Sequence, residues 1–144
     1  MCAEIRPDEN EYGIRVYRSD LSDGYLQKAD VGQRGYCVVI WRGRHIADIT
    51  ELSDTEAGGY WDDVTRVARA VEHHYAPAKL NLLTLGNEIP HLHTHIVPRY
   101  VDDSEPGVPP RFMRARIEQR LLAPDDVRRD AAKLRAHLDG QIAE

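Results

Sequence analysis

Apolar positions along this chain change their spacing several times, and each change marks an element. GIRVYRS (13–19) and GYLQKADV (24–31) are short runs bounded by Gly, Ser and Asp, the pattern of strands. GYCVVIW (35–41) is a continuous β-branched and aromatic run begun by Gly35. Its unbroken hydrophobicity predicts a strand covered on both faces. The spacing then turns helical. Ala57, Tyr60, Trp61, Val64, Val67, Ala68 and Val71 recur at i, i+3, i+4 and i+7, and Ser53 with Glu56 forms a capping box ahead of them. A helix over about 54–75, stopped by Pro77, follows. Gly58 and Gly59 cost about 1 kcal/mol each there, so the first turn packs closely on something or the helix starts later.

AKLNLLTLG (78–86) and HLHTHIVPR (91–99) read as strands joined by a tight GNEIP turn, an antiparallel hairpin. VDDSEPGVPP (101–110) is a loop. Helical stretches are expected at about 111–121 and 124–139, the second opened by Pro124 and stopped by Gly140. The sum is an α+β domain with an antiparallel sheet of about five strands, one long crossing helix and C-terminal helices. A single domain over 1–144 is expected, with its core at 13–100 and a helical extension at 111–140.

Composition narrows the function classes. The chain has 144 residues, 42% of them hydrophobic and 30% charged, which fits one globular domain. A net charge of −5 argues against a nucleic-acid partner. Residues 111–139 are locally basic, with eight Arg or Lys against five acids, which is either a solvated helix face or a surface toward an anionic ligand or partner subunit. No run approaches the ~18 apolar residues of a membrane span, so no membrane partner is expected. Cys2 and Cys37 form no CxxC pair, and MCAEIRPDENEYG lacks the layout of a secretory signal. Both point to a reducing cytoplasm.

Candidate chemistry concentrates in GNEIPHLHTHIVPRY (86–100), which holds three of the seven histidines at alternate positions. On a strand, His91, His93 and His95 share one face, while Leu92 and Ile96 point to a core. The three span roughly 13 Å, so they reach one metal ion only by leaning inward with a fourth ligand, such as His45 or an acid. A row of imidazoles suits an anion laid along the strand better. One ring attacks phosphorus while its neighbours donate to the phosphoryl oxygens and hold its tautomer.

HLHTHIVP (91–98) resembles the histidine triad motif of the HIT superfamily of nucleotidyl hydrolases and transferases. GYCVVIWRGRHIADITELSDTE and KLNLLTLGNEIPHLHTHIVPRY are similar to the segments that surround that motif, so the resemblance covers residues 24–100. It implies a homodimeric HIT-like fold that binds a nucleotide by its α-phosphate and cleaves through a nucleotidyl-histidine intermediate, with no metal or other cofactor. Dinucleoside polyphosphates, nucleoside phosphoramidates and adenylylated molecules are the implied substrate classes. By position His93 would be the nucleophile, with His91 and His95 orienting it and contacting phosphate. Asn87 would contact phosphate or leaving group, and Asn81 would be a structural or ligand-side amide.

The chain departs from the pattern at three places. Tyr36 stands where many members carry a supporting histidine, and its hydroxyl hydrogen-bonds without taking a charge near neutral pH. Glu88 stands where several place Ser, Thr or Gln near the leaving group, and a carboxylate there repels phosphate or donates a proton at raised pKa. Thr94 replaces an apolar spacer. These departures bear on leaving group and rate more than on the nucleophile.

Elsewhere, Arg99 is a surface cation or a phosphate clamp, and Asp30 a ribose contact or a turn residue. His45 reads as a framework residue, and His73, His74 and His137 as surface residues. Trp41 and Trp61 fit a core or a dimer interface. Three functions follow: a nucleotide hydrolase or transferase working through His93, a non-catalytic nucleotide sensor of the same fold, or a metal-dependent hydrolase with histidine ligands.

Overall fold

The computed structural model describes residues 5–118 and 120–142. Its frame is a five-stranded antiparallel sheet in the order β1-β2-β4-β6-β5. These strands are β1 (Gly13–Arg18), β2 (Ser22–Gln27), β4 (Cys37–Trp41), β5 (Lys79–Thr84) and β6 (His93–Arg99). A two-residue strand β3 (Ala29–Asp30) pairs instead with β7 (Arg120–Leu121). The run expected at 24–31 is therefore two strands. Gln27 N and Lys28 N still donate to the carbonyls of Tyr36 and Tyr12, and from the Lys28 carbonyl, which accepts from Leu122 N, the pairing passes to β7.

Strand alternation sorts the side chains onto two faces. Cys37, Val39 and Trp41 join Ile96, Leu26 and Leu92 in the main core. Covering that face are α1 (Asp54–Tyr75) and α3 (Pro124–Ile142), which contribute Tyr60, Val64, Val67, Val71, Leu134 and Leu138. Val38 and Ile40 face the other way, into a smaller cluster with Tyr25, Tyr36 and Val97. Both faces of β4 are thus covered, as its continuous hydrophobicity predicts.

Helix α1 matches its expected bounds. Ser53 and Glu56 form the capping box, and Ala76 ends the helix in the left-handed region at φ 46. Gly59 is where the first turn packs closely: a Cβ there would meet Leu21 Cδ1 at 2.4 Å, while at Gly58 it would meet open space. The C-terminal helix has its expected start and buried stripe of Val127, Ala131, Leu134 and Leu138, but it does not stop at Gly140: it runs through that glycine to Ile142, because a glycine costs a helix interior only about 1 kcal/mol.

The helix expected at 111–121 is a correction. Only α2 (Arg111–Arg114) forms before Ala115 turns extended at φ −149 and ψ 152. Phe112 and Met113 pack on the smaller cluster, and the chain then runs to β7. Its apolar residues are too few for a continuous helical stripe, and pairing with β3 outweighs helix propensity. The β5–β6 connection is a second correction: it runs over residues 85–92 rather than as a tight turn, so His91 and Leu92 precede the strand. Their backbone is held from elsewhere, with His91 N donating to Ile89 O and Leu92 N to Ile46 O.

Candidate active site

His93 and His95 lie on the sheet face opposite α1. Register places His93 beside Ile40 and His95 between Val38 and Leu83, all from the smaller apolar cluster. The intervening Thr94 faces α1, where its hydroxyl meets Tyr60 Oη and Thr84 Oγ1, both at 2.8 Å. That contact accounts for a hydroxyl at an otherwise apolar position. The two imidazoles stand edge to face with ring centres 4.8 Å apart.

Hydrogen bonds settle where their protons lie. A carbonyl can only accept, so the 2.6 Å contact between His93 Nδ1 and His91 O puts the His93 proton on Nδ1. Its Nε2 is left with an in-plane lone pair. His95 Nδ1 lies 2.8 Å from the Tyr36 hydroxyl. Burial, and then the neighbouring His93, push the His95 pKa down to about 4, so this ring is neutral at pH 7. Burial pushes the Tyr36 hydroxyl up, far above neutral pH. Tyr36 also packs on Phe112 of α2, with ring centres 4.9 Å apart.

His91 does not share the row expected of it. Its ring is 2% exposed, and Nε2–H donates to the Trp41 carbonyl at 2.9 Å. What His91 offers His93 is its backbone carbonyl. The Trp41 carbonyl also accepts from Arg6 Nη2 at 2.8 Å, and Arg6 Nη1 pairs with buried Asp23 at 2.7 Å. Arg42 and Arg15 reach the other Asp23 oxygen at 3.2 and 3.4 Å. This ion cluster behind the first histidine leaves no trace in the sequence pattern, because Arg6 and His91 are 85 positions apart.

The remaining candidates are dispersed. Arg99 is buried, with Nη1 on Asn81 Oδ1 and Val108 O, Nη2 on Glu105 O and Nε on Asp103. Arg99 and Asn81 thus occupy each other and brace the 101–110 loop, about 20 Å along the strand from His93. Asp30 is exposed, and its carboxylate accepts from Gly32 N in a turn. Asn87 and Glu88 are exposed on the segment leading into His91. His45 is also exposed, with its ring centre 5.6 Å from that of His91. His73 and His137 stack on each other at 4.3 Å, joining α1 to α3. Among the described residues, no three His, Cys, Asp or Glu side chains come together in a group that would hold a metal ion. No helix among them is long and apolar enough to cross a membrane.

Chemically, the face offers one buried imidazole whose Nδ1 carries the proton, which leaves Nε2 as its acceptor nitrogen in the neutral ring, and a second, neutral imidazole beside it. That suits attack on an electrophilic phosphorus with a hydrogen-bond donor alongside.

Comparison with known proteins identifies the family and the fold. A family model described as the HIT domain matches residues 10–102. Among curated proteins, Protein hit of Bacillus subtilis (strain 168) is 32% identical over 91 residues, which are 60% of this chain and 61% of that protein, so the chain spans about three fifths of that relative's length. Among solved structures, a histidine triad protein from Bradyrhizobium japonicum is similar with a TM-score of 0.78 at 23% identity, covering 89% of this chain and 92% of that one. A zinc-bound histidine triad family protein from Mycobacterium smegmatis has a TM-score of 0.66 at 24% identity, covering 91% and 87%. At these identities the structural matches show the fold. With the family model over most of its length, the chain belongs to the HIT domain family, generally nucleotide-binding hydrolases and transferases.

Proposed function

We propose that this protein cleaves a nucleotide at its α-phosphate through a nucleotidyl-His93 intermediate, with a dinucleoside polyphosphate or a nucleoside phosphoramidate as substrate. The observation that carries this reading is the His93 Nδ1–H bond to the His91 carbonyl, which leaves Nε2 as the nucleophile. Attack by Nε2 forms a nitrogen–phosphorus bond and expels the leaving group with its electron pair. Water then attacks the same phosphorus, the electron pair returns to Nε2, and the mononucleotide leaves. His95 donates to a phosphoryl oxygen, and His91 orients His93 through its carbonyl. Asn87 and Glu88, exposed ahead of the histidines, are the substrate-side contacts in this reading.

His93→Ala tests it. Mononucleotide release is expected to fall by roughly 10³-fold or more while nucleotide affinity, measured by calorimetry, stays near wild type. Turnover that survives the substitution would contradict the reading.

The working unit in this proposal is a homodimer. Strand β5 is a sheet edge, and Leu82 on it, with Leu85 and Ile89 just beyond, remain 45%, 42% and 47% exposed. A second copy pairing along that edge covers them and satisfies the edge's outward backbone groups.

A further inference from the structure

Tyr36 decides which leaving groups the site can release, an inference that rests on His93 being the nucleophile. Its ring is buried between His95 and Phe112, and among the described residues His95 Nδ1 is the hydroxyl's one hydrogen-bond partner. A buried O–H with no acceptor is costlier than an unfilled lone pair on the same oxygen. The phenol therefore donates, Nδ1 accepts, and the proton of His95 sits on Nε2. His93 and His95 thus carry opposite tautomers: one presents a lone pair to substrate, the other an N–H.

From this wiring we infer that the site is built to break phosphorus–oxygen anhydride bonds in preference to the phosphorus–nitrogen bonds of phosphoramidates. When His93 Nε2 bonds to the α-phosphorus, the bond to the leaving group breaks and its electron pair departs with that group. A phosphate leaving group carries the pair away as an oxyanion and needs no proton. An amine leaving group takes the pair onto nitrogen and must gain a proton as the bond breaks.

His95 Nε2–H is the donor beside the phosphorus, and it can give that proton up only if one is supplied to Nδ1 from behind. The supplier there is the Tyr36 hydroxyl, which would have to become a phenolate in an apolar cluster. His95 is otherwise faced by His93 on its own strand, Val38 on β4 and Leu83 on β5, and none of them is a carboxylate. His95 accordingly offers phosphate a fixed hydrogen bond and no transferable proton. A histidine at position 36 would be able to carry a proton to Nδ1.

The test compares release of AMP from diadenosine tetraphosphate and from adenosine 5′-phosphoramidate at neutral pH, using wild type, Tyr36→His, Tyr36→Phe and His93→Ala. Wild type is expected to favour the anhydride in kcat/KM by roughly 100-fold or more, the scale of a missing general acid. Tyr36→His is expected to narrow that gap by raising kcat on the phosphoramidate. Nitrogen-15 NMR reads the wiring directly: His95 is expected to be protonated on Nε2 in wild type and to lose that preference in Tyr36→Phe. Equal, His93-dependent cleavage of both substrates by wild type overturns the anhydride preference while leaving the nucleophile in place, and a His95 proton on Nδ1 overturns the wiring. AMP release that persists in His93→Ala, or none from either substrate, overturns the nucleophile and this inference together.

Discussion

At the scale of residues, two imidazoles on one strand are made chemically unlike by the atoms behind them. The His91 carbonyl puts the proton of His93 on Nδ1, and the Tyr36 hydroxyl takes up Nδ1 of His95. The same burial has a consequence for stability. Unfolded, His95 takes a proton near its ordinary 6.5, whereas folded it stays neutral down to about 4. The unfolded state therefore binds more protons within that window, and stability falls as pH drops from about 6.5 to about 4. Burial lowers the His91 pKa as well, which adds in the same direction. Melting temperatures measured across this window are expected to rise with pH, with a shallower rise in His95→Gln. Identical slopes for the two proteins would contradict the burial argument. The alternation of His93 and His95 was readable because strand geometry maps directly onto period two. The turning of His91 toward Trp41 was not, since it depends on Ile46 and Arg6, residues distant in the chain.

Among the elements, α1 was legible to the residue because cap, stripe and stop agree locally. The same helix carries a test of packing against propensity. Gly58→Ala meets open space and is expected to stabilise by about 1 kcal/mol. Gly59→Ala gains the same propensity but must displace Leu21, so its gain is expected to be smaller or reversed. Denaturant midpoints for the two variants decide it, and a larger gain at Gly59 would contradict the packing. Segment 111–121 was misread for the opposite reason: local pattern was weak there, and the partner strand β3 lies some ninety residues earlier. Edge strand β5 carries the oligomer prediction. Leu82→Lys places a charge on the exposed edge and is expected to convert a dimer to a monomer by light scattering. A wild-type monomer at micromolar concentration would contradict the proposed pairing.

For the molecule as a whole, one sheet separates two jobs. The face under α1 and α3 holds most of the buried apolar side chains, and the opposite face holds His93 and His95 among a few apolar neighbours. Helices on one side thus give the strands the rigidity that fixes two rings 4.8 Å apart on the other. The fold class and the nucleophile candidate were readable from period and motif. The roles of Arg99 and Asn81 were not, because a lone cation before a loop looks the same whether it braces the loop or meets a phosphate. The central claim is that His93 Nε2 becomes bonded to phosphorus. Rapid quenching of the protein with a nucleotide substrate labelled at the α-phosphate, followed by peptide mass spectrometry, tests it most directly. The account predicts one nucleotidyl group on His93, absent from His93→Ala. A labelled product formed with no adduct on His93, or with the adduct on another residue, would contradict it.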